Sequence, residues 1–190
     1  MNKKTLIIAI GLIIILAGLV LIYFFALKPS IVGNTETQKD IVENEFFSVK
    51  LPEGWIEIDP VFESSVMVIK QEEQINNAKA QEINFRSYYS VLQGAYDKES
   101  EQDYLSEVKN SLKQSFTGII VSNEEVRETE NGKIYLIESK FNQQDIDFRV
   151  LLSVSIKDQN AWIVSFNTLE EKWEEYKNLF YQIAESFKIK

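Results

Sequence analysis

A chain of 190 residues with 45% hydrophobic and 26% charged residues has the make-up of a folded protein, and the length left after residue 44 suits one domain rather than two. It contains no cysteine and no histidine, which excludes disulfides, thiolate chemistry and a lipid-carrying cysteine and removes the commonest general base and the commonest transition-metal ligand. Net charge is −9; because residues 1–28 carry three lysines and no acid, the remainder stands at −12, a field that repels phosphate backbones and anionic headgroups, so no nucleic-acid partner is expected.

The first element is the run from Leu6 to Leu27, which holds no charged residue. At about 1.5 Å per residue a helix of this length is roughly 33 Å long, which matches the roughly 30 Å hydrocarbon core of a bilayer. A single transmembrane helix over residues 5–27 is therefore expected. Lys3 and Lys4 precede it, so the lysine bias puts residues 1–4 in the cytoplasm and the rest outside. The run is longer than the about 7 to 15 residues of a secretory h-region, and no small-residue cleavage site follows it, so it reads as an uncleaved signal anchor. Residues 28–44 mix Pro29, Ser30, Gly33, Asn34 and scattered charge without a period and read as a linker, spanning on average roughly 20 to 25 Å. An extracytoplasmic domain over residues 45–190 follows.

That domain opens on a strand in which Phe47, Val49 and Leu51 alternate with Ser48 and Lys50. Pro52 and Gly54 then make a tight turn into a second short strand, Trp55 to Ile58, and the two strands read as an entry hairpin. The run formed by Phe47, Val49, Leu51, Pro52, Glu53, Gly54 and Trp55, close after an anchor and linker, together with a final amphipathic helix ending at Ser186, Phe187 and Lys188, resembles the PsbP-like family, in a membrane-anchored bacterial form. The resemblance covers roughly residues 46–190. It implies an α/β/α sandwich and an accessory or binding role rather than catalysis. Members of that family include a subunit of the oxygen-evolving complex, a small-GTPase binder and bacterial envelope lipoproteins. The absence of histidine departs from the photosynthetic member's pattern, and the absence of cysteine departs from the lipoproteins' pattern.

Further along, Ser65–Lys70 and Ile83–Leu92 read as strands, the latter with Ile83, Phe85, Ser87, Tyr89 and Val91 on one face; the stretch 71–81 between them is open to either loop or helix. Ser100 and Asp103 approximate a capping box for a helix whose apolar face is Tyr104, Leu105, Val108, Leu112 and Phe116. Strands 119–127 and 133–141 follow, joined through Glu130, Asn131 and Gly132, with Asn-Gly as the hairpin signal. In the strand 146–156, the even positions Ile146 to Ile156 are all apolar. The odd positions Asp147, Arg149, Leu151, Ser153 and Ser155 suggest a face that is partly wet or lines a cleft. A last strand, 161–167, leads to a helix with Thr168 and Glu171 as its capping box and Leu169, Trp173, Tyr176, Phe180, Ile183 and Phe187 as a core stripe. The count is about seven strands, which makes an α+β domain with an antiparallel central sheet and flanking helices.

No nucleophile elbow, phosphate loop or dinucleotide fingerprint occurs. The acids Asp97, Glu99, Glu101 and Asp103 straddle a helix start, where negative charge is favourable without any metal, and they lack the glycine and terminal glutamate of a calcium loop. The one constellation with binding chemistry is Arg86, Tyr88, Glu138 and Arg149, which strand alternation places on polar sheet faces, where two arginines beside a tyrosine suit an anionic group. A solvated or salt-bridged face is the competing reading. No metal, cofactor or catalysis is expected. The expectation is a single-pass membrane protein whose outside domain binds an envelope protein or small ligand; an extracytoplasmic hydrolase using acidic residues and a structural spacer are the alternatives.

Overall fold

A computed structural model describes residues 40–60 and 64–190. The expected transmembrane helix and most of the linker lie outside these residues. Among the described residues no helix is long and apolar enough to cross a bilayer.

The chain order is β1 (Ile41–Glu43), β2 (Phe47–Lys50), β3 (Trp55–Ile58), β4 (Val66–Lys70), α1 (Ala78–Glu82), β5 (Tyr88–Ala95), α2 (Glu101–Ser115), β6 (Ile120–Thr129), β7 (Gly132–Gln143), β8 (Ile146–Lys157), β9 (Asn160–Leu169), a 3-10 turn (Glu170–Lys172), α3 (Trp173–Ser186) and β10 (Lys188–Ile189). Seven strands form one sheet in the order β3-β4-β5-β9-β8-β7-β6, with every neighbouring pair antiparallel. The expected α+β architecture with a central antiparallel sheet of seven strands is therefore present. A second sheet, β1-β2-β10, gathers the two ends of the domain around β2.

Both faces of the large sheet are buried. On one, α2 packs Tyr104, Leu105, Val108 and Leu112 against Ile137, Val150, Leu152 and Ile163. On the other, α3 and the small sheet pack Phe180, Trp173, Phe47 and Val49 against Trp55, Tyr89, Leu151 and Phe166. The stripe expected on the final helix is this second core. Phe180 has no exposed surface and stacks on Phe166 at 5.1 Å between ring centroids and on Tyr176 at 5.7 Å.

Several local expectations are corrected. The linker ends before 44, because Ile41–Glu43 pairs with β2 and buries Val42. The entry hairpin does not form: β2 belongs to the small sheet and β3 to the large one, so the turn between them is a crossing between layers. Gly54 takes φ +72° there, where a side chain is strained and its Cβ would also meet the Lys70 ammonium. The strand expected from Ile83 begins only at Tyr88. Asn77 caps α1 by accepting from Ala80 N–H, Ile83 closes that helix, and Asn84 has a positive φ. The β6–β7 pairing closes at Thr129 opposite Gly132, with the positive φ on Gly132 rather than on Asn131, so Asn-Gly does not occupy the two central turn positions. The odd face of β8 is not wet beyond Arg149: Leu151, Ser153 and Ser155 are all buried.

The Thr168–Glu171 capping box is also absent, because β9 runs on to Leu169 and helical geometry starts later. Thr168 is buried in β9 with its hydroxyl 2.7 Å from the Ser87 hydroxyl, and Glu171 accepts from the Asn76 backbone N–H. The Ser100 cap does form, with its hydroxyl oxygen accepting from Asp103 N–H at 3.1 Å.

Phe180→Ala empties the centre of the second core and is expected to destabilise the protein by about 3–5 kcal/mol. Val126→Ala, on an exposed position of β6, should shift stability by no more than about 0.5 kcal/mol. Urea unfolding followed by tryptophan fluorescence compares the two; equal losses would contradict this location of the core.

Candidate functional site

The four residues singled out in the sequence do not converge. Arg86 precedes β5 and donates from Nη1 to the Phe85 carbonyl at 2.8 Å. Tyr88 is buried in the core under α2, on the opposite side of the sheet from its neighbour Tyr89. Burial pushes the Tyr88 hydroxyl above the ordinary tyrosine range. Glu138 and Arg149 do share a face: Glu138 pairs in register with Leu151, two residues from Arg149, and the carboxylate and the guanidinium both point toward α3. The anion-binding arginine pair is thus replaced by a Glu–Arg strip beneath a helix.

Three clusters make up this strip, and α3 contributes to each. At one end the Arg127 guanidinium donates to Glu125 at 2.6 and 3.0 Å and to Glu185 at 2.5 Å, and lies 4.3 Å from the centroid of the Tyr181 ring. In the middle, Glu138 is only 4% exposed, accepts from the Tyr181 hydroxyl and has the Lys177 ammonium 3.5 Å away. Burial first, and the Glu138 carboxylate second, push the Tyr181 hydroxyl upward. At the far end Arg149 holds Glu170 through two guanidinium nitrogens, donates to the Ser122 hydroxyl at 3.2 Å and sits 5.5 Å from the Trp173 ring centroid. Lys177 lies over the same indole at 5.7 Å.

Trp173, Lys177, Tyr181 and Glu185 follow one another at four-residue steps, so they form a single row along α3. That row was the sequence signal for the strip, and an apolar stripe on the same helix masks it. Geometrically the strip is closed. Its cations are matched to acids and lie against rings, which fixes how α3 lies across β6, β7 and β8.

An open cavity of about 360 Å³ lies past the Arg149 end, bordered by Ile120, Lys140, Phe141, Asp147, Phe148 and Glu170. The acids at the start of α2 are likewise engaged: Glu101 accepts from Lys133 at 2.5 Å and from the Tyr135 hydroxyl, and Asp103 accepts from Ser100 at 2.6 Å. Those partners, Lys133 first and Tyr135 second, hold the Glu101 carboxyl below the usual range. Across the α1–β8 side, Lys79 does the same for Asp145.

Residues 40–189 match the PsbP family model. The chain belongs to the PsbP family. No curated protein matches it in sequence. Among solved structures, the fold is similar to that of the cyanobacterial PsbP protein (CyanoP) of Synechocystis sp. PCC 6803, at 17% identity and a TM-score of 0.56, covering 87% of this chain and 99% of that one. It is also similar to LpqN of Mycobacterium tuberculosis, a protein involved in cell envelope biogenesis, at 8% identity and a TM-score of 0.56, covering 85% and 89%. A Pseudomonas aeruginosa protein of unknown function aligns at 8% identity and a TM-score of 0.52, covering 82% and 93%. At these identities the likeness shows the PsbP fold.

Glu138→Ala leaves the Tyr181 hydroxyl buried without its acceptor and is expected to cost about 1–3 kcal/mol. Hydrogen bonding from Arg127 holds the Glu125 carboxyl below its ordinary 4.5. Its contribution to stability is therefore complete above that value and is lost as pH falls through the lowered one. Acid unfolding of Glu125→Gln, compared with the unaltered chain, should show a shallower loss of stability below pH 4.5; identical acid limbs would rule out this role for the Arg127 pair.

Proposed function

We propose that this PsbP-family protein is a single-pass, membrane-anchored binding or accessory module of the cell envelope, with its domain outside the cytoplasm and no catalytic activity. The observation that carries this reading is electrostatic. Among the described residues, the carboxyl groups displaced from their ordinary values, Glu101, Glu125 and Asp145, are all displaced downward by cationic or hydroxyl donors. A hydrolase working through acidic residues needs a carboxyl raised toward neutrality and converging with a second one on substrate. Carboxylates fixed as anions suit recognition instead. The uncharged run at residues 6–27 and the lysines ahead of it support the anchor and its orientation. The relation to a protein involved in envelope biogenesis supports the location.

Crosslinking the full chain in its own membrane, followed by mass spectrometry, should yield a discrete adduct with an envelope component, and no adduct under several growth conditions would count against a binding role. Protease added outside intact cells should digest the region after Lys28. Protection of that region would overturn the orientation.

A further inference from the structure

β6 ends the large sheet. No strand among the described residues pairs with its outer edge, so the N–H and C=O groups of alternate residues along its ten-residue length point away from β7. The opposite edge, β3, is only four residues long. Proteins guard such edges with charged side chains, lysine above all, with proline, with bulges or with shortness. β6 is long and carries neither proline nor lysine, and its one irregularity, between Val121 and Asn123, falls near its start. From Asn123 to Thr129 the pairing with β7 is regular. Two large apolar side chains lie bare along it, Ile120 at 55% and Val126 at 56% exposure. Beside Val126, Leu105 and Gln102 of α2 with Tyr135 and Ile137 of β7 border an open cavity of about 130 Å³, room for an aliphatic side chain arriving from an added strand.

The charges on this edge select what can add. Glu124, Val126 and Glu128 alternate onto the α2 side, where Glu124 is paired with Lys109 and still 52% exposed. Glu128 and Glu130 are exposed and form no ion pair among the described residues. Arg127, the one cation of the strand, is occupied by Glu125 and Glu185. A second copy pairing antiparallel about Val126 would set Glu124 opposite Glu128 twice, a like-charge arrangement that destabilises cross-strand pairs. A strand carrying lysine or arginine on either side of an apolar residue meets the reverse situation.

We propose that the outer edge of β6 is the docking site of the binding module, taking an extended basic segment of a partner protein as an eighth strand, with an apolar side chain over Val126 and cationic ones at Glu124 and Glu128. This rests on the binding-module reading and gives it a place and a partner chemistry. Backbone hydrogen bonds supply the attachment, and the side-chain pattern supplies selection.

The test uses the full chain in mild detergent with the probe peptide acetyl-KTKTVTK-amide and its acidic counterpart acetyl-ETETVTE-amide. Binding is read by fluorescence anisotropy and by amide shifts in nitrogen-15 spectra. The basic peptide should bind and the acidic one should not, with shifts concentrated in Ile120–Thr129 and at Gln102 and Leu105. Glu128→Lys with Glu130→Lys should weaken the basic peptide at least tenfold and admit the acidic one, and the corresponding Gln pair should fall between. Both positions are exposed, and unchanged thermal unfolding of the variants shows that the fold persists. No binding at millimolar peptide, shifts elsewhere, or affinity indifferent to the charge reversal would overturn the proposal. An envelope adduct recovered equally from the wild type and E128K/E130K would remove β6 as the seat while leaving the binding-module reading standing.

Discussion

A seven-stranded sheet has two faces to withdraw from water, and the fold depends on the second being covered by the small sheet together with one helix whose buried residues are mostly aromatic. α3 brings Trp173, Tyr176, Phe180 and Tyr181 to the sheet, and ring contacts run from Phe180 to Phe166, Tyr176 and Trp55. Large rings bury much area for little lost rotamer freedom, and their edge and offset geometries constrain how the helix lies. With α2 closing the other face, the sheet becomes the middle layer of an α/β/α stack.

Trp55 connects this core to the small sheet. It sits immediately after the Pro52–Gly54 turn, and its indole lies against Tyr89, Tyr176 and Phe180. The Tyr89 hydroxyl reaches back to donate to the Lys50 carbonyl at 2.8 Å, just ahead of the turn. The same few residues therefore carry the chain from one layer to the next and fasten the layers together. The polar strip beneath α3 adds direction: Arg127, Glu138 and Arg149 meet Glu185, Tyr181 and Trp173 of the helix, so sliding the helix by one turn would unpair a nearly inaccessible carboxylate.

Much of this was legible in the chain itself wherever a period was sustained. The alternation through residues 146–156, the helical spacing from Tyr104 to Phe116 and the stripe from Leu169 to Phe187 each rest on several residues that agree, and burial follows them. Failures arose where a single residue was asked to mark a boundary. Thr168 looks like a cap, but it is a strand residue whose hydroxyl meets Ser87 across the sheet, a contact 81 positions away along the chain. Ile83 to Ser87 alternates like a strand, yet Glu73 accepts from both the backbone N–H and the hydroxyl of Ser87 and shapes the entry. Alternation alone also does not tell which layer covers a face. Ser153 and Ser155 seemed wet because serine is small and polar, whereas both are buried on the face they share with Leu151. Of the candidate site only the placement of Glu138 and Arg149 on one face emerged, since strand register, which no local pattern carries, decides whether Tyr88 sits above or below the sheet.

The small sheet has a mechanical consequence. β1 and β10 flank the same strand, Lys190 donates from its backbone to the Phe46 carbonyl at 2.9 Å, and its ammonium meets Glu43 at 3.0 Å. Tension arriving through the polypeptide ahead of Asp40 falls on the three rungs of β1 one after another, opening them like a zipper rather than loading them together in shear. The first piece to yield under such a pull would be this short strand, and the seven-stranded layer behind it would be spared until the fringe had peeled away.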